Sequence, residues 1–380
     1  MEAMLEGLKV LDLTDEKGRF CGKILADMGA EVIRVEKPGQ SVTDCYANRG
    51  KHAVSLNIEK PAGQALLLRL VDQSDVLIES FTPGYLASTG LSFDFLCKQN
   101  PRLIMASISG FGQKGPYSHF NSSELVCAAM GGQVYLNGEP GRPPIQPPAP
   151  LASSLGCLNA VTAIILAIWQ RHTSDRGQHL DISIQECAAD ALDHAMVRYF
   201  YQGEKPERTG AFNWNRTMRV FPCRDGYILL TFYHQWETLV EWLNSENMAE
   251  DLIDPKYLDE AERRLNLDHI VNVLEKWTLS HGVDALEETG QAMHFPWGKV
   301  NTIPQVVEDI QLNARGYFVT AKDPEGREYK FPGAPVKMSA SPWQVNPVLP
   351  AAGEYNQEVF CRRLGLKANE LSDLRQEGII

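Results

Sequence analysis

The sequence is short of several things, and each shortage removes a class of function. No two of its eight cysteines form a C-x-x-C pair, which argues against thioredoxin-like redox chemistry and the common zinc ribbons. Positive charge is in deficit, with 36 Lys and Arg against 48 Asp and Glu and a net charge of -12. Nucleic acid and anionic membrane repel such a chain at long range, so neither is expected as a partner. Gly110-Phe111-Gly112 stops short of G-x-G-x-x-G and brings no Walker lysine, so nucleotide phosphate hydrolysis is not supported. His119 and His294 lie near aromatics with no second histidine at ligand spacing, and no metal is expected. No apolar run reaches membrane-spanning length, and Met1 to Gly7 lack the basic and apolar regions of a signal peptide. Cytoplasm, with reduced thiols, is the expected location.

What is present is an ordinary folding composition of 380 residues, 44% hydrophobic and 22% charged, enough for two domains. The first hundred residues alternate between periods. Leu8–Leu13 reads as a buried strand, Phe20–Met28 as a helix ended by Gly29, and Glu31–Val35 as the next strand, a βαβ unit that implies a parallel sheet. Further strands are expected at Ala53–Leu56, Asp75–Ile78 and Leu103–Ser109, with a helix at Pro61–Val71 that carries proline in its first turn. Residues 137–150 are dense in proline and glycine and read as a connection. An apolar helix is expected over Gly156–Arg171, then a strand at Gln178–Ile184 and a helix from Glu186 towards Phe200. Ile228–Phe232 reads as a strand, Asp323–Gly326 as a hairpin turn, and Asn356–Leu364 and Ala368–Glu377 as closing helices. The fold class is α/β. The expected division is a large domain over 1–200, a linker over 201–214, a smaller α+β domain over 215–310, a linker over 311–331, and a C-terminal part over 332–380 that returns to the large domain.

Several stretches, in order along nearly the whole chain, resemble the class III CoA-transferase family of formyl-CoA and crotonobetaine type. They include Leu5–Leu13, Leu25–Gly39, Asn48–Lys51, Asn100–Ile104, Ser109–Tyr117, Arg176–Ser183 and Pro350–Gly353. The resemblance implies a Rossmann-like large domain, a subunit whose ring threads through that of its partner, and a CoA thioester as substrate. It also implies an aspartate that attacks the thioester and alternates between acyl anhydride and CoA thioester.

Counting back from Arg171, that aspartate falls on Ala152, which offers neither charge nor lone pair. Racemases of the same fold need an aspartate at this position and a histidine at about Ser123, so both members of the proton shuttle are missing. Positions that the family uses for CoA depart too. Ser80 stands for asparagine, Ser88 for arginine and Asn121 for lysine, and Ala211–Arg216 are bulky where a glycine-rich loop is expected. Arg34, Lys37 and Arg49 remain as candidate CoA contacts, each also readable as an ordinary charge. Glu124 aligns with a glutamate that assists catalysis and is a candidate substitute nucleophile; it also reads as a first-turn carboxylate of a helix capped by Ser122 or Ser123.

The pattern of losses implies a non-catalytic subunit. Its expected partner is a sister chain that keeps the aspartate, in a heterodimer or heterotetramer that moves CoA from succinyl-CoA to an aryl- or alkyl-succinate. Two alternatives stay open, an active homodimer with a recruited carboxylate and a regulatory protein that binds acyl-CoA without turnover.

Overall fold

A computed structural model describes residues 3–39, 45–322, 327–343 and 350–380. The expected hairpin turn at Asp323–Gly326 lies outside them. The chain divides into two compact units, one of residues 1–134, 146–205 and 310–380, the other of residues 135–145 and 206–309.

The first unit is built on a six-stranded sheet of β1 (Lys9–Leu13), β2 (Glu31–Glu36), β3 (His52–Ser55), β4 (Val76–Glu79), β5 (Ile104–Ser109) and β6 (His179–Ser183) in the order β3-β2-β1-β4-β5-β6. Every neighbouring pair is parallel. The central strands β4 and β5 are buried on both faces and read as nearly continuous apolar runs. The helices α1 (Arg19–Asp27), α2 (Pro61–Val71), α3 (Phe93–Gln99), α4 (Glu124–Met130) and α5 (Leu151–Ser174) lie in the crossovers, and α6 (Ile184–Asp190) follows β6. Gly29 ends α1 at φ +97°, where a Cβ would stand 2.1 Å from that of Ala3; only glycine fits that turn. Strand order reverses between β1 and β4, which opens a crevice at the carboxyl ends of the strands.

Two elements differ from expectation. The helix from Glu186 towards Phe200 is broken into Ile184–Asp190, Asp193–Val197 and a π-type turn at Arg198–Gln202. Asp193 Oδ1 accepts the His194 N–H at 2.6 Å, and an aspartate that bonds its own backbone in this way favours a new helix start over continuation. The apolar helix α5 is longer than expected, at 24 residues, and its length and hydropathy of 2.0 would suffice to cross a membrane. That corrects the reading of no membrane-length segment, which rested on unbroken apolar runs and overlooked that Ser, Asn and Thr can be carried by a spanning helix. Here one side of α5 packs into the unit through Ala152, Gly156, Ala160, Ile164 and Ala167, and Arg171 pairs with Asp75 at 3.0 Å.

A buried ionic network fixes the carboxyl end of the first strands. Asp12 and Lys51, 0% and 1% exposed, are 2.7 Å apart, and Arg34 stands 3.7 Å from the same carboxylate. The other oxygen of Asp12 accepts from the Thr14 amide and hydroxyl, and Lys51 also donates to the Arg19 carbonyl at 2.9 Å. Burial pushes the Asp12 carboxyl up, but Lys51 and Arg34 outweigh it and hold the group below the usual carboxylate range. Residues 356–380 lie against the opposite face of the sheet, where Val359, Phe360, Leu371 and Ile379 join Leu11, Val54 and Leu77 in one cluster.

The second unit holds β7 (Met218–Pro222), β8 (Tyr227–Thr231) and β9 (Gly298–Lys299) in one antiparallel sheet. Its core gathers Trp236, Trp277, Phe295 and Trp297. Trp236 is buried and Trp242 partly so, and both pack in that core.

Removing one member of the Asp12–Lys51 pair leaves an uncompensated buried charge. Lys51→Met is expected to cost about 3–5 kcal/mol in urea unfolding, and adding Asp12→Leu to recover most of that loss. Because the folded-state pKa of Asp12 is depressed, the stabilisation is present above about pH 4 and is lost as pH falls through the folded value. The double variant should show a smaller loss of stability in acid.

Candidate functional site

The crevice at the carboxyl ends of β1–β3 is a cleft of about 380 Å³ within the first unit. Four acidic side chains line it, Asp15, Glu16, Glu36 and Glu59, against three basic ones, Arg19, Arg34 and Lys37. Arg34 is buried, with Nε 3.0 Å from Glu36 and Nη1 donating to the Thr14 carbonyl at 3.1 Å. Lys37 is half-exposed and bound to Glu59 at 2.9 Å; that hydrogen bond and the Glu59 charge raise its pKa. Two of the three cations are thus already used inside the protein. Arg19, which no sequence signal singled out, is the third, and its Nε has no hydrogen-bond partner among the described residues.

The other expected CoA positions are dispersed. Arg49 does not line the cleft; it is 1% exposed, donates to the Pro332 carbonyl at 3.1 Å and lies over the rings of Tyr46 and Phe331. Ser80 is buried and shares a pair of 2.7 Å hydrogen bonds with Asp15, donating to its carboxylate and accepting from its amide. Ser88 is exposed and donates to the Tyr85 carbonyl. Asn121 is exposed on the loop before α4 and does not line the cleft.

Ala152 and Glu124 are brought together at the start of α5. Pro150, the residue before that helix, has no side-chain cap to give. Glu124 supplies one from 28 residues away. Its Oε1 accepts the Ala152 N–H at 2.9 Å, and its Oε2 accepts the Ser153 N–H at 2.9 Å and the Ser153 hydroxyl. A carboxylate on the first-turn amides of a long helix is favoured by those unpaired donors and by the helix dipole. Glu124 is itself the first residue of α4, where Ser123 accepts from the Val126 amide. Both oxygens of Glu124 are therefore engaged in holding α5.

The side chain of residue 152 packs among apolar groups and thiols. The methyl group is fully buried in a cluster that includes Cys127 and Cys157. Burial pushes the Cys127 thiol up to about 11 and that of Cys157 to about 12, so both stay protonated and poorly nucleophilic at neutral pH.

In the second unit, Ala211–Arg216 form a closed turn. Asn213 Oδ1 accepts from the Thr217 and Met218 amides at 3.0 and 3.1 Å, Arg216 adopts φ +57°, and Phe212 stacks beneath Arg219.

The parallel sheet, with its cleft at the point where strand order reverses, defines a doubly wound α/β chain with a ligand crevice. The family described as CoA-transferase family III matches residues 5–356, and the chain belongs to it. Succinyl-CoA–D-citramalate CoA-transferase of Chloroflexus aurantiacus is 30% identical, over 99% of this chain and 98% of that protein. Subunit BbsE of succinyl-CoA:(R)-benzylsuccinate CoA-transferase from Thauera aromatica is 29% identical, over 98% of this chain and 97% of that protein. A CaiB/BaiF family protein from Brucella suis superposes with a TM-score of 0.85 at 27% identity, covering 95% of this chain and all of that one. The expected family and α/β fold are thereby established.

If Glu124 serves as the cap of α5, Glu124→Gln should lower stability by about 1–2 kcal/mol in denaturant unfolding. Glu124→Ala should lower it further. Unchanged stability in both variants would remove the capping role.

Proposed function

We propose that this chain is the non-catalytic subunit of a heteromeric class III CoA-transferase. The observation that carries the reading is the start of α5. The residue at the expected nucleophile position is a buried alanine, and the nearest carboxylate, Glu124, has both oxygens bound to the helix. A recruited glutamate would have to give up that cap before attacking a thioester, which weighs against the active homodimer.

The sister chain, in this reading, supplies the carboxylate. It attacks the acyl carbon of succinyl-CoA, forming a mixed anhydride and releasing the CoA thiolate. CoA then returns to the enzyme acyl group, and succinate leaves. The acceptor carboxylate then displaces the CoA thiolate from that thioester to form a second anhydride, and the thiolate attacks the acceptor's acyl carbon, which yields the acceptor's CoA ester and frees the enzyme carboxylate. An aryl- or alkyl-succinate such as (R)-benzylsuccinate is the proposed acceptor, in keeping with the similarity to a named subunit of such an enzyme. The cleft of this chain contributes little to holding CoA phosphates, because its acids outnumber its bases and both Arg34 and Lys37 are paired. No metal takes part, and the complex belongs to the cytoplasm.

The first unit also exposes apolar side chains that a subunit interface would cover. Leu151, Leu158, Leu166 and Trp169 lie along the outer side of α5, Trp169 being 77% exposed, and Phe200 and Tyr201 are 74% and 85% exposed. Patches of this kind on a soluble chain mark interaction surfaces.

Purification of the tagged chain from its host, followed by native mass spectrometry, should yield a complex with a family paralogue that carries the aspartate; a pure homodimer would overturn the proposal. Ala152→Asp in the isolated chain should give no CoA transfer, since the CoA positions Ser80, Ser88 and Asn121 and the 211–216 turn are altered as well. Acyl transfer by that single variant would refute this account of the site.

A further inference from the structure

Among the described residues of the first unit, four carboxylates are buried: Asp12, Asp27, Glu36 and Glu79. Three have a cation at ion-pair distance, Asp12 with Lys51, Asp27 with Lys23 at 2.6 Å, and Glu36 with Arg34. Glu79 is the exception. It is 4% exposed, and among the described residues it has no ion-pair partner. Its Oε2 accepts the Phe81 N–H at 2.8 Å, and the Ser107 hydroxyl bonds the same carboxylate.

Glu79 faces a cavity separate from the cleft described above. The cavity, about 240 Å³, lies over β4, β5 and β6 and is walled by the start of α3. At ~30 Å³ per water it has room for roughly eight small groups. Its lining contains a second carboxylate, Asp94, at the exposed rim, and neither lysine nor arginine. His179 completes one wall, with Nε2 2.9 Å from Ser107 Oγ and its ring stacked on Phe93 at 5.3 Å. Burial lowers the pKa of His179, which keeps the ring neutral near pH 7. Phe93 and Met105 supply apolar surface beside the acids.

A buried carboxylate without a counter-ion is costly. A cavity that presents this group, a rim carboxylate and an aromatic face, and lacks cations, is complementary to a positive charge on a small apolar body. We propose that this cavity is a second ligand site, which takes a small organic ammonium ion whose charge is received by Glu79. The site is independent of the CoA-transfer reading, since it shares no lining residue with the cleft at the carboxyl ends of β1–β3.

Burial raises the pKa of Glu79; the Ser107 hydroxyl and the Phe81 amide act against this, and Asp15 and Asp181 add to it. The other titratable groups nearby are Asp94, His179 and Lys114. Ammonium binding requires Glu79 ionised, so below its raised pKa each binding event releases a proton. Affinity therefore rises with pH by about tenfold per unit until the carboxyl is fully ionised.

Titration calorimetry of the full chain with n-butylammonium, and with neutral n-butanol as control, tests the assignment without any CoA ester. Saturable binding of the ammonium but not the alcohol is expected, with affinity climbing as pH rises through the raised range in which Glu79 ionises. Glu79→Gln should weaken it by about tenfold to a hundredfold, and Asp94→Asn by less. Absence of ammonium binding, equal binding of butanol, or undiminished binding by folded Glu79→Gln would overturn the proposal. If Glu79→Gln does not fold, the pH series on the unaltered chain decides, and a flat affinity would refute it.

Discussion

The ion pair between Asp12 and Lys51 is the constraint on which the candidate site depends. Lys51 follows the loop before β3, Asp12 lies inside β1, and Arg34 lies inside β2, so one buried cluster registers three strands at the end of the sheet where the cleft opens. Its geometry also decides what the cleft can offer. Arg34 is the most deeply set cation of the lining, and its guanidinium is committed to Glu36, to Thr14 and towards Asp12. A buried arginine already matched to acids has little left for a phosphate. Structure and charge balance in the cleft are therefore the same fact viewed from inside and outside the sheet.

At the start of α5 a second constraint acts alongside the first. An apolar helix of 24 residues that begins at proline has no local means of satisfying its first amides. Glu124 meets that need, and in doing so it joins α4 to α5 across the buried Ala152 methyl. A side chain with both oxygens occupied by backbone donors is an anchor. A buried alanine at residue 152 and the structural use of the carboxylate at residue 124 are the two observations on which the proposed non-catalytic reading rests.

Much of the sheet is legible in the sequence because parallel strands buried on both faces are written as short apolar runs between turn signals. Glu31–Val35 and Leu103–Ser109 are of this kind, and Pro61 and Gly29 mark their helix ends by conformational necessity. The start of α5 is not legible, since its cap comes from a residue distant in the chain and α5 itself offers no capping residue. The break at Ala191–Leu192 is hidden for the opposite reason: helix formers continue through it, and only the Asp193 side chain bonding to its own backbone resets the helix. Of the proposed contacts, Arg34 and Lys37 reach the cleft because both stand at the carboxyl end of β2. Arg49 does not, because the buried Asp27 and the rings of Tyr46 and Phe331 claim it. Arg19 was missed because a cation at the first position of a helix stands outside the apolar periodicity that marks the helix.

The segment over 356–380 has a kinetic consequence. Asn356 accepts the Ser55 amide at 2.8 Å, a contact that spans 301 residues, and Val359, Phe360 and Leu371 close the core over strands made at the beginning of the chain. Part of the apolar covering of that face thus arrives after most of the polypeptide has been synthesised, joining Leu66, Leu67 and Leu70 of α2. Contacts of such long range slow folding, because a large loop must close before they form. During synthesis at about 5–20 residues per second, the part of that cluster which Val359, Phe360 and Leu371 complete stays open for tens of seconds, with apolar strand surface exposed to the wrong partners.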